Sequence, residues 1–201
     1  MIPKIFPSTT TNFTNAHGYL SDIMTCKVTE ERNGSFDLEM EYPLSGARYE
    51  EIAEGCFIVA THDDSGTEQP FRVYSLERNT KSVKIKARHR VQMILQNMPV
   101  RPYPQGTYTV PAVMTQLNSI ASGWASAYPT CTVAFSTDMT QSVKYPKAIP
   151  AYVLPFIVGE KDSIVDKLKT GEVQYTANQL SLLSSRGTDT GIKIEYGKNI
   201  S

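Results

Sequence analysis

The chain has 201 residues, 40% of them hydrophobic and 20% charged, with 20 Lys plus Arg balanced by 20 Asp plus Glu. That is enough apolar material for one large domain or two small ones. Zero net charge argues against a general nucleic-acid binder, which carries a basic excess, and supplies little repulsion to keep copies apart. Cys26, Cys56 and Cys131 are widely spaced with no CxxC pair, so free thiols in a reducing compartment are expected rather than a zinc site or a disulfide framework. The start, MIPKIFPSTT, has no apolar run of signal-peptide length. The stretch 149–158 is broken by Pro150 and Pro155, so a soluble chain is expected.

In chain order, residues 1–18 are rich in Thr, Asn and Pro and read as an extended arm or edge strand. Residues 24–42 read as one long β-hairpin. Phe36, Leu38, Met40 and Tyr42 alternate with Asp37, Glu39 and Glu41, and Met24, Cys26 and Val28 alternate with Thr25, Lys27 and Thr29. That period of two places each apolar set on one face. Asn33-Gly34 predicts a type I′ turn between the arms. Pro43, Ser45 and Gly46 break the pattern, and residues 48–53 offer a short helical turn. Residues 57–60 predict a strand and residues 62–66 a turn. A second strand pair follows at 70–78 and 82–89, with a slip of register near Tyr74. Residues 91–96 predict a short helix. Residues 1–97 therefore read as a strand-rich, barrel-like module.

The run PVRPYPQG at 99–106 marks a domain boundary. Thr109 then caps a helix that has Pro111 in its first turn and Val113, Leu117 and Ile120 on one face, ending near Gly123. A strand is predicted at 130–135 and a second amphipathic helix at 163–169, with Lys167 and Lys169 in its last turn. A closing hairpin is expected to pair 172–185 with 191–196. The chain then stops at Ser201 without a closing helix or polar tail, as a truncated polypeptide would. The fold class is α+β and β-rich, with an antiparallel barrel-like domain over 1–97 and a smaller α+β domain over 98–201, expected to be incomplete at its C-terminus.

Candidate chemistry is sparse. His62-Asp63-Asp64 is the one tight cluster of possible ligands, and adjacent turn residues seldom converge on one metal, so a solvated turn is favoured. Lys84, Lys86 and Arg88 share one strand face; a phosphate-binding stripe is conceivable there, but a solvated face is the plainer reading. A Cys26–His89 pair is open in sequence, yet Cys26 lies on the apolar face of its hairpin, which favours an inert core thiol. No nucleophile elbow or glycine-rich phosphate loop is present. Asp37, Glu39 and Glu41 read as a solubilising or channel-lining face. No catalytic, cofactor or metal residue is assigned. Thr25, Lys27, Thr29, Asp37, Glu39, Glu41, Lys84, Lys86 and Arg88 are the candidate assembly or channel face.

SFDLEMEYPLSGARYEEIAEGCFIVA, then PFRVYSLERNTKSVKIKARH, then the helix SIVDKL and the run GEVQYTANQLSLLSSRGTDTGIKIEYGKN together resemble phage and prophage minor tail proteins of the tail-associated, or prophage endopeptidase tail, family. The resemblance is weakest between Gln105 and Ala148. It implies a baseplate-hub module built from barrels that imitate tail-tube subunits, three copies of which form a ring below the tube. It further implies a distal tail protein and a tape-measure protein as partners, DNA passing through without sequence-specific contact, and a place in the virion tail after assembly in the host cytoplasm. Any endopeptidase activity would lie in a C-terminal extension. Two other readings stay open. One is a cell-wall hydrolase centred on Cys26, His62 or His89; the other is a carbohydrate-binding receptor module around Trp124, Tyr128 and Tyr145.

Overall fold

A computed structural model describes residues 2–61, 66–100, 106–145 and 151–186. Its largest element is a seven-stranded sheet of β1 (Lys4–Phe6), β2 (Gly18–Tyr19), β3 (Thr25–Glu30), β4 (Phe36–Pro43), β5 (Phe57–Thr61), β6 (Glu68–Arg78) and β7 (Ser82–His89). The order is β2-β1-β5-β6-β7-β4-β3, and every neighbouring pair is antiparallel. The sheet curls into a half-barrel. Its outer strands β2 and β3 do not pair with each other, so the expected barrel is open. The N-terminal arm is a sheet member, since β1 lies between β2 and β5.

Alternation sets the faces. Phe36, Leu38, Met40 and Tyr42 of β4, Val83, Ile85 and Ala87 of β7, and Phe71 and Val73 of β6 are all buried in one cluster. The predicted register slip is a bulge between Val73 and Ser75, which lets Val73 and Leu76 both turn toward that cluster despite their odd spacing.

Two features of the first hairpin differ from expectation. Asn33 has φ 55°, but Gly34 is not among the residues with positive φ, so the turn is not type I′, which needs both. It closes instead through the Gly34 N–H donating to the Glu31 carbonyl at 3.0 Å. Also, only one arm faces the core. Met24 and Cys26 are exposed and Val28 half-buried, because β3 is the edge strand and extends past the layer that covers β4.

That layer begins with α1 (Arg90–Asn97), capped by His89, whose ring nitrogen accepts from the Val91 N–H. β8 (Pro99–Val100) and β9 (Gly106–Thr109) lead into α2 (Val110–Ala127). The Thr109 hydroxyl caps α2 as expected, accepting from the Ala112 N–H, and Val110, Val113, Met114, Leu117 and Ala121 make its buried stripe. The helix runs through the exposed Gly123, since packing of its buried stripe outweighs the roughly 1 kcal/mol that an interior glycine costs. β10 (Ala134–Thr137), β11 (Ser142–Tyr145), β12 (Ala151–Tyr152), α3 (Val153–Ile157), α4 (Ile164–Leu168), β13 (Glu172–Thr176) and β14 (Gln179–Leu183) complete the described chain. β11 pairs with β9 and β12 with β8. β14 lies between β13, antiparallel to it, and β10, parallel to it.

The closing hairpin also differs from expectation. Its presumed single arm, 172–185, is itself a hairpin that turns at Ala177-Asn178, with Val173 opposite Leu182 and Tyr175 opposite Leu180. The expected partner, 191–196, lies outside the described residues, as does the His62-Asp63-Asp64 turn. A single apolar cluster runs from the large sheet through α1 and α2 to β13 and β14.

Candidate functional site

The nine residues expected to form an assembly or channel face all lie on the side of the large sheet opposite the core. The ladders place them in rows across three strands. Thr25 is opposite Glu41, which is opposite Lys84; Lys27 is opposite Glu39, which is opposite Lys86; Thr29 is opposite Asp37, which is opposite Arg88. The rows continue onto β6, where Lys84 meets Glu77, Lys86 meets Ser75 and Arg88 meets Arg72. Each acid of β4 thus faces a cation of β7, and Glu39 faces Lys27 of β3 as well, so the face is a mixed lattice rather than an acidic or basic stripe.

Several pairs close into ion pairs. Arg88 donates to both carboxylate oxygens of Asp37, at 2.8 and 3.3 Å. The hydrogen bond to Asp37 holds the guanidinium pKa above its ordinary value, and the guanidinium also lies 5.7 Å from the centre of the Tyr74 ring. Lys86 donates to Glu77 at 2.7 Å, lowering the pKa of the acid and raising that of the amine. Glu41 accepts from the hydroxyl of Ser82. Exposed pairs of this kind add little stability. What they set is the pattern of charge that a neighbour meets.

The other candidates are dispersed. His89 is fully buried, stacked on Phe36 with ring centres 4.8 Å apart, and its Nε2 faces Gln69 Oε1 at 3.2 Å. Cys26 lies on the far edge strand in the row of Met40 and Ile85, four residues back along β7 from His89, so the structure does not bring the two together. Cys26 is exposed and Cys56 buried. His17 Nε2 stands 3.6 Å from Glu51 Oε2. Trp124 and Tyr128 do meet, with ring centres 4.6 Å apart; the side chain of Tyr145 lies outside the described residues. Among the described residues no group of three or more His, Cys, Asp or Glu is placed to hold a metal ion.

Sequence reading missed Arg90. It is 1% exposed, yet carries a full charge. Its guanidinium donates to the carbonyls of Thr130 (2.6 Å), Thr132 (3.0 Å) and Ala177 (3.3 Å) and to Asn178 Oδ1 (2.8 Å). Burial lowers its pKa. The sequence signal was the KIKARHR run, in which Arg90 sits two residues beyond Arg88 and looks like one more surface cation. Three carboxamides were missed as well. Gln92 accepts from the Phe36 N–H and donates to the Gly34 carbonyl. Asn118 makes the same two-way pair with Phe135, and Asn33 with Val173 and Gly171. Each imitates a strand partner where two elements meet edge to side.

No family model matches the sequence, and no curated protein matches it significantly. Solved structures do match the fold. The prophage tail protein gp18 from Listeria monocytogenes EGD-e is similar over 100% of this chain, with a TM-score of 0.67 at 14% identity. The tail protein from Neisseria meningitidis MC58 is similar over 90% of it, with a TM-score of 0.54 at 8% identity. This chain spans 56% and 49% of those two chains, about half of each. At such identities the likeness is one of fold: this chain has the architecture of a prophage tail protein and of a second tail protein.

Proposed function

We propose that this chain is a structural subunit of a phage or prophage tail, located at the tail tip or baseplate hub, where three copies form a ring below the tube. The observation that carries this reading is the fold likeness to a prophage tail protein along the whole chain. Two features of the surface support it. Among the described residues β3 has no strand on its outer side, where Met24 is 58% exposed and Cys26 is exposed too, an edge that a second copy can cover. The open face carries cations that each meet an acid across the ladder at Lys27, Lys84, Lys86 and Arg88. A wall whose cations are already matched holds phosphate weakly, which suits a conduit through which DNA must slide.

In this reading the subunit docks on a distal tail protein, meets the tape-measure protein and lines or closes the DNA path. It assembles in the host cytoplasm and ends in the virion. The reading gives this span no catalytic step, and a lytic or receptor-binding activity would belong to further sequence. Deletion of the gene from its phage or prophage, followed by electron microscopy of induced lysates, tests the role. Loss of finished tails, restored by the gene in trans, is the expected result. Complete, infectious tails in the deletion strain would overturn it.

A further inference from the structure

We propose that the cavity between Arg72, Arg90 and Trp124 is a binding site for a carboxylate carried on an apolar stem. The cavity holds about 240 Å³ and is lined by residues of β5, β6, α1, α2 and the turn at 129–131. Two guanidinium groups, Arg72 and Arg90, contribute to its wall, and no acidic residue among the described residues does. In the sheet Arg72 is opposite Arg88, whose charge is already taken by Asp37. Arg72 itself stacks 5.8 Å from the centre of the Phe57 ring. Two positive charges therefore share one partly open cavity that no described acid lines.

Not every donor of the wall is open to a guest. The terminal nitrogens of Arg90 are occupied by oxygens of residues 130, 132, 177 and 178, and its Nε and the indole Nε1 of Trp124 are closed off from the cavity. The Arg72 guanidinium is the group left to meet a guest, and a carboxylate paired with it also offsets the charge of Arg90 across the cavity. Phe57, Met93, Ile94 and the Trp124 ring make the apolar part of the wall, and Asn97, Thr130 and Cys131 complete it. The apolar part suits an aryl or alkyl stem, which a bare phosphate lacks. The chemistry selected is one carboxylate with an apolar body, whether free or at the end of a peptide.

Trp124 is the only tryptophan in the chain, so its fluorescence reports on the site directly. The intact protein is titrated with 3-phenylpropionate, with 3-phenylpropionamide and with inorganic phosphate, by fluorescence and by calorimetry in parallel. Short peptides ending in Phe, with a free or an amidated C-terminus, separate a peptide source from a small-molecule one. Saturable binding of the acids, at least tenfold weaker for the matching amides and for phosphate, is expected. Arg72→Gln should lower acid affinity at least tenfold with an unchanged circular dichroism spectrum. Absence of binding by both methods overturns the proposal, as does equal binding of acid and amide or a preference for phosphate. The acid–amide comparison uses the unaltered protein, so it decides the matter even if the variant misfolds. Neither result bears on whether the chain belongs to a tail.

Discussion

Asn33 and Val173 are 140 residues apart in sequence, yet the Val173 N–H donates to the Asn33 side-chain oxygen at 2.8 Å. The same carboxamide donates from its nitrogen to the Gly171 carbonyl at 2.9 Å. The tip of the first hairpin is thereby joined to the start of β13, and the left-handed backbone of Asn33 holds the side chain in place for it. Arg186 reinforces the junction through a two-point contact with Glu30 at the end of β3.

Replacing Asn33 separates these two roles. Asn33→Ala loses both hydrogen bonds and places a Cβ residue in the left-handed region, for an expected loss of about 2–3 kcal/mol. Asn33→Gly keeps the backbone conformation at no steric cost and should lose about 1 kcal/mol less. Urea unfolding of the two variants beside the unaltered protein checks the ordering.

Arg90→Met should destabilise the fold by about 2–3 kcal/mol, because it removes four charge-assisted hydrogen bonds to part-buried oxygens. Arg90→Lys should recover little, since one ammonium cannot span carbonyls on both the 130–132 turn and the 177–178 turn. Thermal unfolding followed by circular dichroism distinguishes these outcomes.

Burial pushes the Tyr175 hydroxyl up to about 12 from its ordinary 10. The unfolded chain therefore loses this proton first as pH rises. Stability should be fully present below pH 10 and decline between about 10 and 12, by up to about 3 kcal/mol from this group. Tyr175→Phe should flatten that part of the pH–stability curve, read by denaturant midpoints at a series of alkaline pH values.

The charge lattice predicts a split between folding and assembly. Lys86→Glu places a third acid beside Glu39 and Glu77 on an exposed surface. Its melting temperature should barely move, while tail assembly in a complementation assay should fall. The exchange Glu39→Lys with Lys86→Glu keeps the face neutral and should restore much of the assembly. Unchanged assembly in the single variant would remove the face from the docking surface.

Thiol labelling tests the edge strand. In the native protein Cys26 should react with an aromatic disulfide reagent, though more slowly than a small free thiol because partial desolvation raises its pKa, and Cys56 only on unfolding, since burial closes access and raises its pKa. If β3 is covered by a second copy in the assembled tail, Cys26 should become protected there and stay reactive in the free subunit.

Much of the fold was legible because strand and helix periods are local. The runs at 36–42 and 82–89 alternate so cleanly that their faces follow from the spacing of two, and the nine face residues land together for that reason alone. The Thr109 cap was legible because a hydroxyl just before a helical run meets a bare N–H wherever the helix later packs. Reading through Ala177-Asn178 was an error that parity could have exposed. Val173 and Tyr175 are odd, Leu180 and Leu182 even, and a single strand cannot switch faces without a turn or bulge.

Length, pattern and composition thus determined the long strands of the large sheet, the main helices and the two-sided character of that sheet, since each depends only on neighbours along the chain, while the short strands at 106–109, 142–145 and 151–152 left no such mark. Tertiary structure alone decided that β3 is the outermost strand of the described sheet, that β10 runs parallel to β14, that Arg90 is buried while Arg88 is not, and that three carboxamides join elements far apart in sequence. Those outcomes depend on which surfaces meet across long loops. A lone Arg or Asn carries no mark of whether carbonyls or water will satisfy it until the chain has closed around it.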